Sequence, residues 1–229
     1  EPRLVTEYAL RFGLASVNKI ADAYDNDPKA DFHQTVADMA KIPRSQAKVI
    51  NLGLFYGMGK AKLEAELGVS KDKAKELFDT YHGKVPFVKQ LTNQLMSAAQ
   101  DQGRIKTILN RKCRFPKYEP ILKGSDWGRF VPAQDHERML ELQAMGEFIK
   151  DEEGEFIKDK DGNKQKNYWH ENGHRRAFTY KALNKLIQGS AADMTKKAML
   201  ELYKEGITPH IQIHDELDIS VTNDLEAAK

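Results

Sequence analysis

Three consecutive ionisable residues, His214, Asp215 and Glu216, stand in the stretch IQIHDELDIS, between short runs in which apolar and polar residues alternate. Period-two alternation predicts a strand on each side, 211–213 and 217–221, and puts the charged trio at the tip of a hairpin whose strands should be buried. Two adjacent carboxylates at a strand end suit a divalent cation, because Mg²⁺ takes one or two carboxylates and completes its shell with water and substrate phosphates. The bland alternative for such a triplet is a solvated turn.

A second set lies in RSQAKVINLGLFYGMGK, residues 44–60. On a helix, Arg44, Lys48, Leu52 and Tyr56 recur every fourth residue and form one slanting stripe, with Ala47, Ile50, Leu54 and Met58 on the opposite side. The stripe is the expected free face. Two cations one turn apart near a helix N-terminus suit a polyphosphate, since the dipole and the free N–H groups add to the attraction. The aromatic ring of Tyr56 suits a base or sugar further along. A solvated helix with incidental cations would account for Arg44 and Lys48, but not for the continuation of the stripe into Leu52, Tyr56 and the permissive YGMG.

The third set is in RRAFTYKALNKLIQGSAADMTKKAML, residues 175–200. Asn184 and Gln188 are one turn apart, and amides that donate and accept suit minor-groove edges, whose acceptors lie at similar positions in every base pair. On a plain surface helix they would only face water. Ile187, Ala191, Met194, Ala198 and Leu202 make an apolar seam, and the small residues 189–192 allow another backbone to come close. Finally, GRIKTILNRKCRFPK (103–117) carries six Lys or Arg in fifteen residues, a track that suits a phosphate backbone.

The elements that must position these groups are mostly helical. Helical spacing runs through 3–24, DNDPKAD is a turn, Pro43 opens a helix over about 43–58, and shorter helices follow at 60–67 and 71–82 with Ser70 as N-cap. Residues 86–102 form an amphipathic helix ended by DQGR, and 103–117 a short hairpin. Residues 117–172 contain GEFIKD twice, at 146–151 and 154–159, and read as a peripheral β-meander inserted on the surface. The longest helix covers 175–205. This is a helix-rich α+β protein. With 229 residues, 40% hydrophobic and 31% charged, the chain is globular and can bury a sizeable core. A net charge of +2 neither demands nor excludes a nucleic-acid partner. A single cysteine, Cys113, forbids an internal disulfide and points to a reducing compartment. No apolar run approaches the ~20 residues of a membrane span, so no membrane partner is expected. The absence of a Met at the start and the ending NDLEAAK read as an excerpt of a longer chain.

Taken together and in order, these motifs resemble the polymerase domain of family A DNA polymerases, and look most like the phage branch. RSQAKVINLGLFYGMGK resembles the fingers helix with its R-x3-K-x7-YG pattern, ALNKLIQGSAAD the N-x3-QG-x-AAD helix, and IQIHDEL the palm hairpin with Q-x-HDE. EPRLVTEYA resembles the tail of the remaining palm motif, D-[YF]-S-Q-x-E-x-R. The resemblance covers the chain apart from 117–172. It implies a fold of helix-rich fingers (25–116), part of an antiparallel-sheet palm (1–24 and 175–229) and an inserted β-hairpin region. It implies DNA synthesis on primer–template DNA with dNTPs, two Mg²⁺ ions as cofactors, and a cytoplasmic location, that of the bacterial host if phage-encoded. Asp215 would ligate the metals, Glu216 would support the site, and His214 would contact the primer terminus. Arg44, Lys48 and His33, the last in DFHQTVA, would hold the triphosphate. Tyr56 would pair with Glu1 at the sugar pocket, with Leu52 beside it. Asn184, Gln188 and Gln212 would touch primer–template near the new base pair.

The chain departs from the family pattern in four places. The family's first metal-binding Asp falls five residues before Glu1, so the remaining N-terminal part must come from the same chain or from a split subunit, and the chain alone is expected to be inactive. Leu52 replaces a Phe or Tyr, Tyr180 stands where an Arg is often found, with Arg175 or Arg176 as the possible substitutes, and the 117–172 insertion is unusually large. The competing readings are a catalytically silent primer–template binding module, a single-subunit RNA polymerase relative, which Glu1 disfavours, and an unrelated nucleotide-binding helical protein.

Overall fold

The computed structural model describes residues 2–27, 29–214 and 216–220. The chain divides into two compact units, one made of residues 1–95, 106–113 and 180–229, the other of 96–105 and 114–179.

The first unit is built from helices. α1 (Pro2–Arg11) and α2 (Asn18–Asn26) are separated at Gly13, whose φ of 70° ends the run that helical spacing suggested was continuous over 3–24. α3 (Phe32–Ala40) is capped by Asp31, whose carboxylate accepts from the backbone N–H groups of His33 and Gln34. Only nine residues long, it follows turn chemistry so closely that the sequence pattern missed it. α4 (Arg44–Phe55) starts after Pro43, and α5 (Lys60–Leu67) and α6 (Lys71–Lys84) follow. Ser70 caps α6 as expected, its Oγ accepting from Lys73 N at 3.3 Å. α7 (Pro86–Gln102), whose residues 86–95 belong to this unit and 96–102 to the other, begins with a proline in the first turn, where no amide hydrogen is needed. The core lies where α3 packs on α4 and α6, and includes Phe32, Ile50, Phe55, Leu63 and Tyr81. α9 (Ala182–Lys204) packs against α1, and the unit ends in a hairpin of β5 (Ile211–Ile213) and β6 (Glu216–Asp218).

That hairpin differs from expectation in burial. Its register pairs Ile213 with Glu216 and Gln212 with Leu217, but Ile211 and Ile213 are 55% and 53% exposed. The two isoleucines share one face of a two-stranded ribbon, and no described residue covers that face. The apolar seam of α9 shows the same change along its length: Ile187 is buried, whereas Met194 is exposed.

In the second unit, β3 (Tyr118–Pro120) pairs antiparallel with β4 (His174–Arg176) and closes the base of an excursion over 121–173. The excursion has its own core, Met139 and Leu142 from α8 (His136–Ala144) against Trp169, with Tyr118 and Ile149 around it. The meander is present in 147–167, where bridges join Phe148 to Lys166, Lys150 to Phe156 and Lys158 to Lys164. The helix α8 was hidden by the polar, turn-rich composition around it. Asn167 ties the two parts: its buried amide donates to the carbonyls of Leu142 and Gly146 (2.8 Å to the latter), and its Oδ1 accepts from Trp169 N.

Candidate active site

α4 presents the two faces that the spacing predicts. Ala47, Ile50 and Leu54 are buried, Arg44 and Lys48 are exposed, and Leu52 is half-buried. Tyr56 caps the helix C-terminus, and Met58 folds back so that its amide donates to Gly53 O and its side chain fills the space where a Cβ at residue 53 would sit. A side chain at Gly53 would displace Met58 and loosen the YGMG turn.

Arg44 Nε donates to Asp31 Oδ2 at 2.6 Å, so the residue that caps α3 also anchors the first cation of α4. This bond, with the two N–H groups of the cap, holds the Asp31 carboxyl below its ordinary range and keeps it ionised. The terminal nitrogens of Arg44 make no hydrogen bond among the described residues, and Lys48 makes no ion pair there. Both remain available to an anion.

His33 comes into the same group. Its Nδ1 accepts from Asn51 Nδ2 at 2.9 Å, which leaves the proton on Nε2. Burial pushes the His33 imidazole below its ordinary value; Asp31 opposes this, while Arg44 and Lys48 add to it. A neutral imidazole between two cations offers a directed N–H donor with no third charge to desolvate. Asn51 was missed by sequence reasoning. It is fully buried on α4, its Oδ1 has no hydrogen-bond partner, and its amide is what fixes the His33 tautomer. The available signal was an amide inside the buried arc between Ile50 and Leu54.

The second group is centred on α9. Residues 189–193 dock against the tip of the hairpin formed by β1 (Arg104–Lys106) and β2 (Lys112–Arg114). Arg111 donates through Nε to Asp193 at 2.6 Å and through Nη2 to Gly189 O at 2.7 Å; the Thr107 hydroxyl also bonds Asp193. Ser190 Oγ accepts from Ile108 N and meets the Tyr8 hydroxyl at 2.7 Å. A Cβ at Gly189 would come within 3.0 Å of both Thr107 and Arg111, so the small residues serve this close approach. Burial works to raise the Asp193 carboxyl, but Thr107 and Arg111 together hold it below the ordinary value. Arg111, counted among the phosphate-track residues in the sequence, is therefore a structural clamp. On the same helix Gln188 is exposed and Asn184 half-buried.

A profile of DNA polymerase family A matches residues 13–228. The chain belongs to DNA polymerase family A. It is 31% identical to a DNA-directed DNA polymerase of Pseudomonas phage M6, across all of this chain and 33% of that protein. It is 27% identical to a DNA polymerase of Mycobacterium phage L5, over 91% of this chain and 25% of that one. The chain thus spans about a third or less of the length of these curated relatives. The fold is similar to the polymerase domain of Pol1 from M. smegmatis, solved with DNA primer–template and dNTP, at a TM-score of 0.54 and 22% identity, covering 86% of this chain and 29% of that one.

The third group of this family A chain is the β5–β6 hairpin. Gln212 Nε2 donates to the carbonyl of His214, which adopts a left-handed φ of 53° at the tip, and Glu216 is an exposed carboxylate at the start of β6. Among the described residues no group of three His, Cys, Asp or Glu is placed to hold a metal. Asp215 and Glu1, to which metal ligation and sugar selection are assigned, lie outside the described residues. The structure thus joins His33, Arg44 and Lys48, and separately joins Gly189, Ser190 and Asp193 of α9 to the 107–111 tip, while no hydrogen bond links Asn184 or Gln188 to that tip among the described residues.

The two arginines considered as replacements for the family Arg near Tyr180 have other partners. Arg175 pairs with Glu119 at 2.7 Å, while Arg176 bonds Gln100 and the Phe115 carbonyl and fills the space beside Gly103. No helix among the described residues is long and apolar enough to cross a membrane.

Proposed function

We propose that this chain forms the fingers and part of the palm of a DNA polymerase that adds dNTPs to a primer 3′-hydroxyl on a template. The observation that carries this reading is the convergence of His33, Arg44 and Lys48 on one exposed face, anchored from behind by Asp31 and Asn51, in a family A chain. Residues 25–116 act mainly as fingers, 1–24 and 175–229 as palm, and 117–172 as an insertion.

The triphosphate lies along the α4 face. Lys48 and the free end of Arg44 take the charged oxygens, and neutral His33 donates through Nε2. Leu52 and Tyr56 border base and sugar, with Glu1 opposing a 2′-hydroxyl. Asn184, Gln188, Gln212 and His214 touch primer–template near the new pair. The donors at the hairpin, Asp215 with Glu216 beside it, are hard carboxylate oxygens that fit Mg²⁺, completed by a carboxylate from the rest of the polymerase, in the same chain or a split subunit. Bound Mg²⁺ would activate the primer hydroxyl and neutralise charge on the departing pyrophosphate. Asp215→Asn in the complete polymerase tests the assignment. It should abolish primer extension while leaving primer–template affinity nearly unchanged, and a variant that still extends removes Asp215 from the metal site.

A further inference from the structure

The insertion contains the two tryptophans of the chain in opposite situations. Trp169 is 2% exposed in the core, whereas Trp127 is 79% exposed and Phe130, three residues on, 89%. These two rings are the most exposed large apolar side chains among the described residues, and neither meets another aromatic ring or a cation there. An unsupported Trp and Phe on one loop need a reason, since the same unit buries a Trp without difficulty.

Three depressions adjoin that loop. One, of about 370 Å³, is lined by Trp127, Arg129 and Ile121; a second, of about 260 Å³, by Phe130, Val131 and Tyr168. The third, of about 600 Å³, is lined by Arg129, Lys158, Lys160, Lys164 and Lys166. Arg129 borders the first and third and Tyr168 the second and third, so the surface is continuous. The five cations of the third depression face two carboxylates, Asp126 and Asp159. Asp126 is taken by Lys166 at 2.7 Å and Arg129 at 3.3 Å, and Lys158 and Lys160 form no ion pair among the described residues. The meander separates its charge: the turn at 151–155 is acidic, while these lysines border the other turn, at 159–163.

We propose that this face binds single-stranded nucleic acid, with bases stacked on Trp127 and Phe130 and phosphates held by Arg129, Lys158 and Lys160. Exposed rings beside a row of cations are what sequence-tolerant single-strand binding requires, because every base has a face to stack and every linkage a charge. The excess of cations is what favours a nucleic acid over a protein partner. The site goes beyond the polymerase reading and uses none of its residues.

The test is tryptophan emission of the 229-residue chain titrated with a dT12 oligonucleotide. Trp127 should give saturable quenching that weakens as salt rises. Trp127→Ala/Phe130→Ala should bind dT12, followed by anisotropy, at least about tenfold more weakly, with the blue-shifted emission of Trp169 reporting an intact core. Lys158→Glu/Lys160→Glu should weaken quenching and flatten its salt dependence, and Lys48→Ala should leave quenching unchanged, which separates this site from the α4 face. Absent quenching, or wild-type affinity in both double variants, would overturn the proposal and leave the rings to a protein partner.

Discussion

Two basic regions of the first unit use the same residue types to opposite ends. At the tip of the 103–117 hairpin, Arg111 has a buried carboxylate and a helix carbonyl as partners, so its charge is already matched within the chain although the side chain itself is half-exposed. On α4, Arg44 is held by one nitrogen to Asp31, and Lys48 has no ion pair among the described residues. The difference teaches that a cation's role is decided by what lies behind it. A buried acid makes a clamp; a capping acid at the rim leaves a binding face.

Substitutions can sharpen that contrast. The largest stability loss is expected for Arg111→Ala, which leaves the buried Asp193 carboxylate with Thr107 alone. A cost of about 3 kcal/mol in urea unfolding, with dNTP dependence unaltered in whatever protein still folds, would mark the clamp as structural. Asn51→Leu comes next. It removes the orphaned Oδ1 but also the donor to His33, so stability should change by less than about 1.5 kcal/mol while the His33 ring, followed by NMR, loses its fixed tautomer. Asp31→Ala should cost about 1 kcal/mol through the lost cap of α3, and should free Arg44.

The pH dependence is smaller and has a definite sign. Because burial depresses His33, the unfolded chain takes up that proton first as pH falls. Stability supplied by neutral His33 is complete above its ordinary value near 6.5 and is lost as pH drops from there towards the lower folded value. Comparing urea midpoints of wild type and His33→Asn across this window should show a steeper fall in the wild type. Equal slopes would place His33 outside the buried group.

Much of this was legible in the sequence where the signal is local. Ser70, Pro43 and Pro86 fix helix starts through their own backbone chemistry, and the fourfold stripe of α4 follows from helical period alone. Long-range pairings were not legible: nothing in the spacing links Thr107 and Arg111 to Asp193, or His33 to Asn51. The two helices hidden in turn-rich surroundings, α3 and α8, are each nine residues long, too short for periodicity to outweigh their flanks. The exposure of Ile211 and Ile213 was invisible because alternation marks a face to be covered, not what covers it.

The central claim is that the α4 face holds the triphosphate, and Lys48→Ala tests it most directly because its stability cost should stay within about 0.5 kcal/mol. Single-nucleotide incorporation by the complete polymerase should show a dNTP requirement raised by about tenfold or more and slower incorporation, with primer–template affinity unchanged. A variant that keeps its dNTP dependence and loses only DNA affinity would contradict the account.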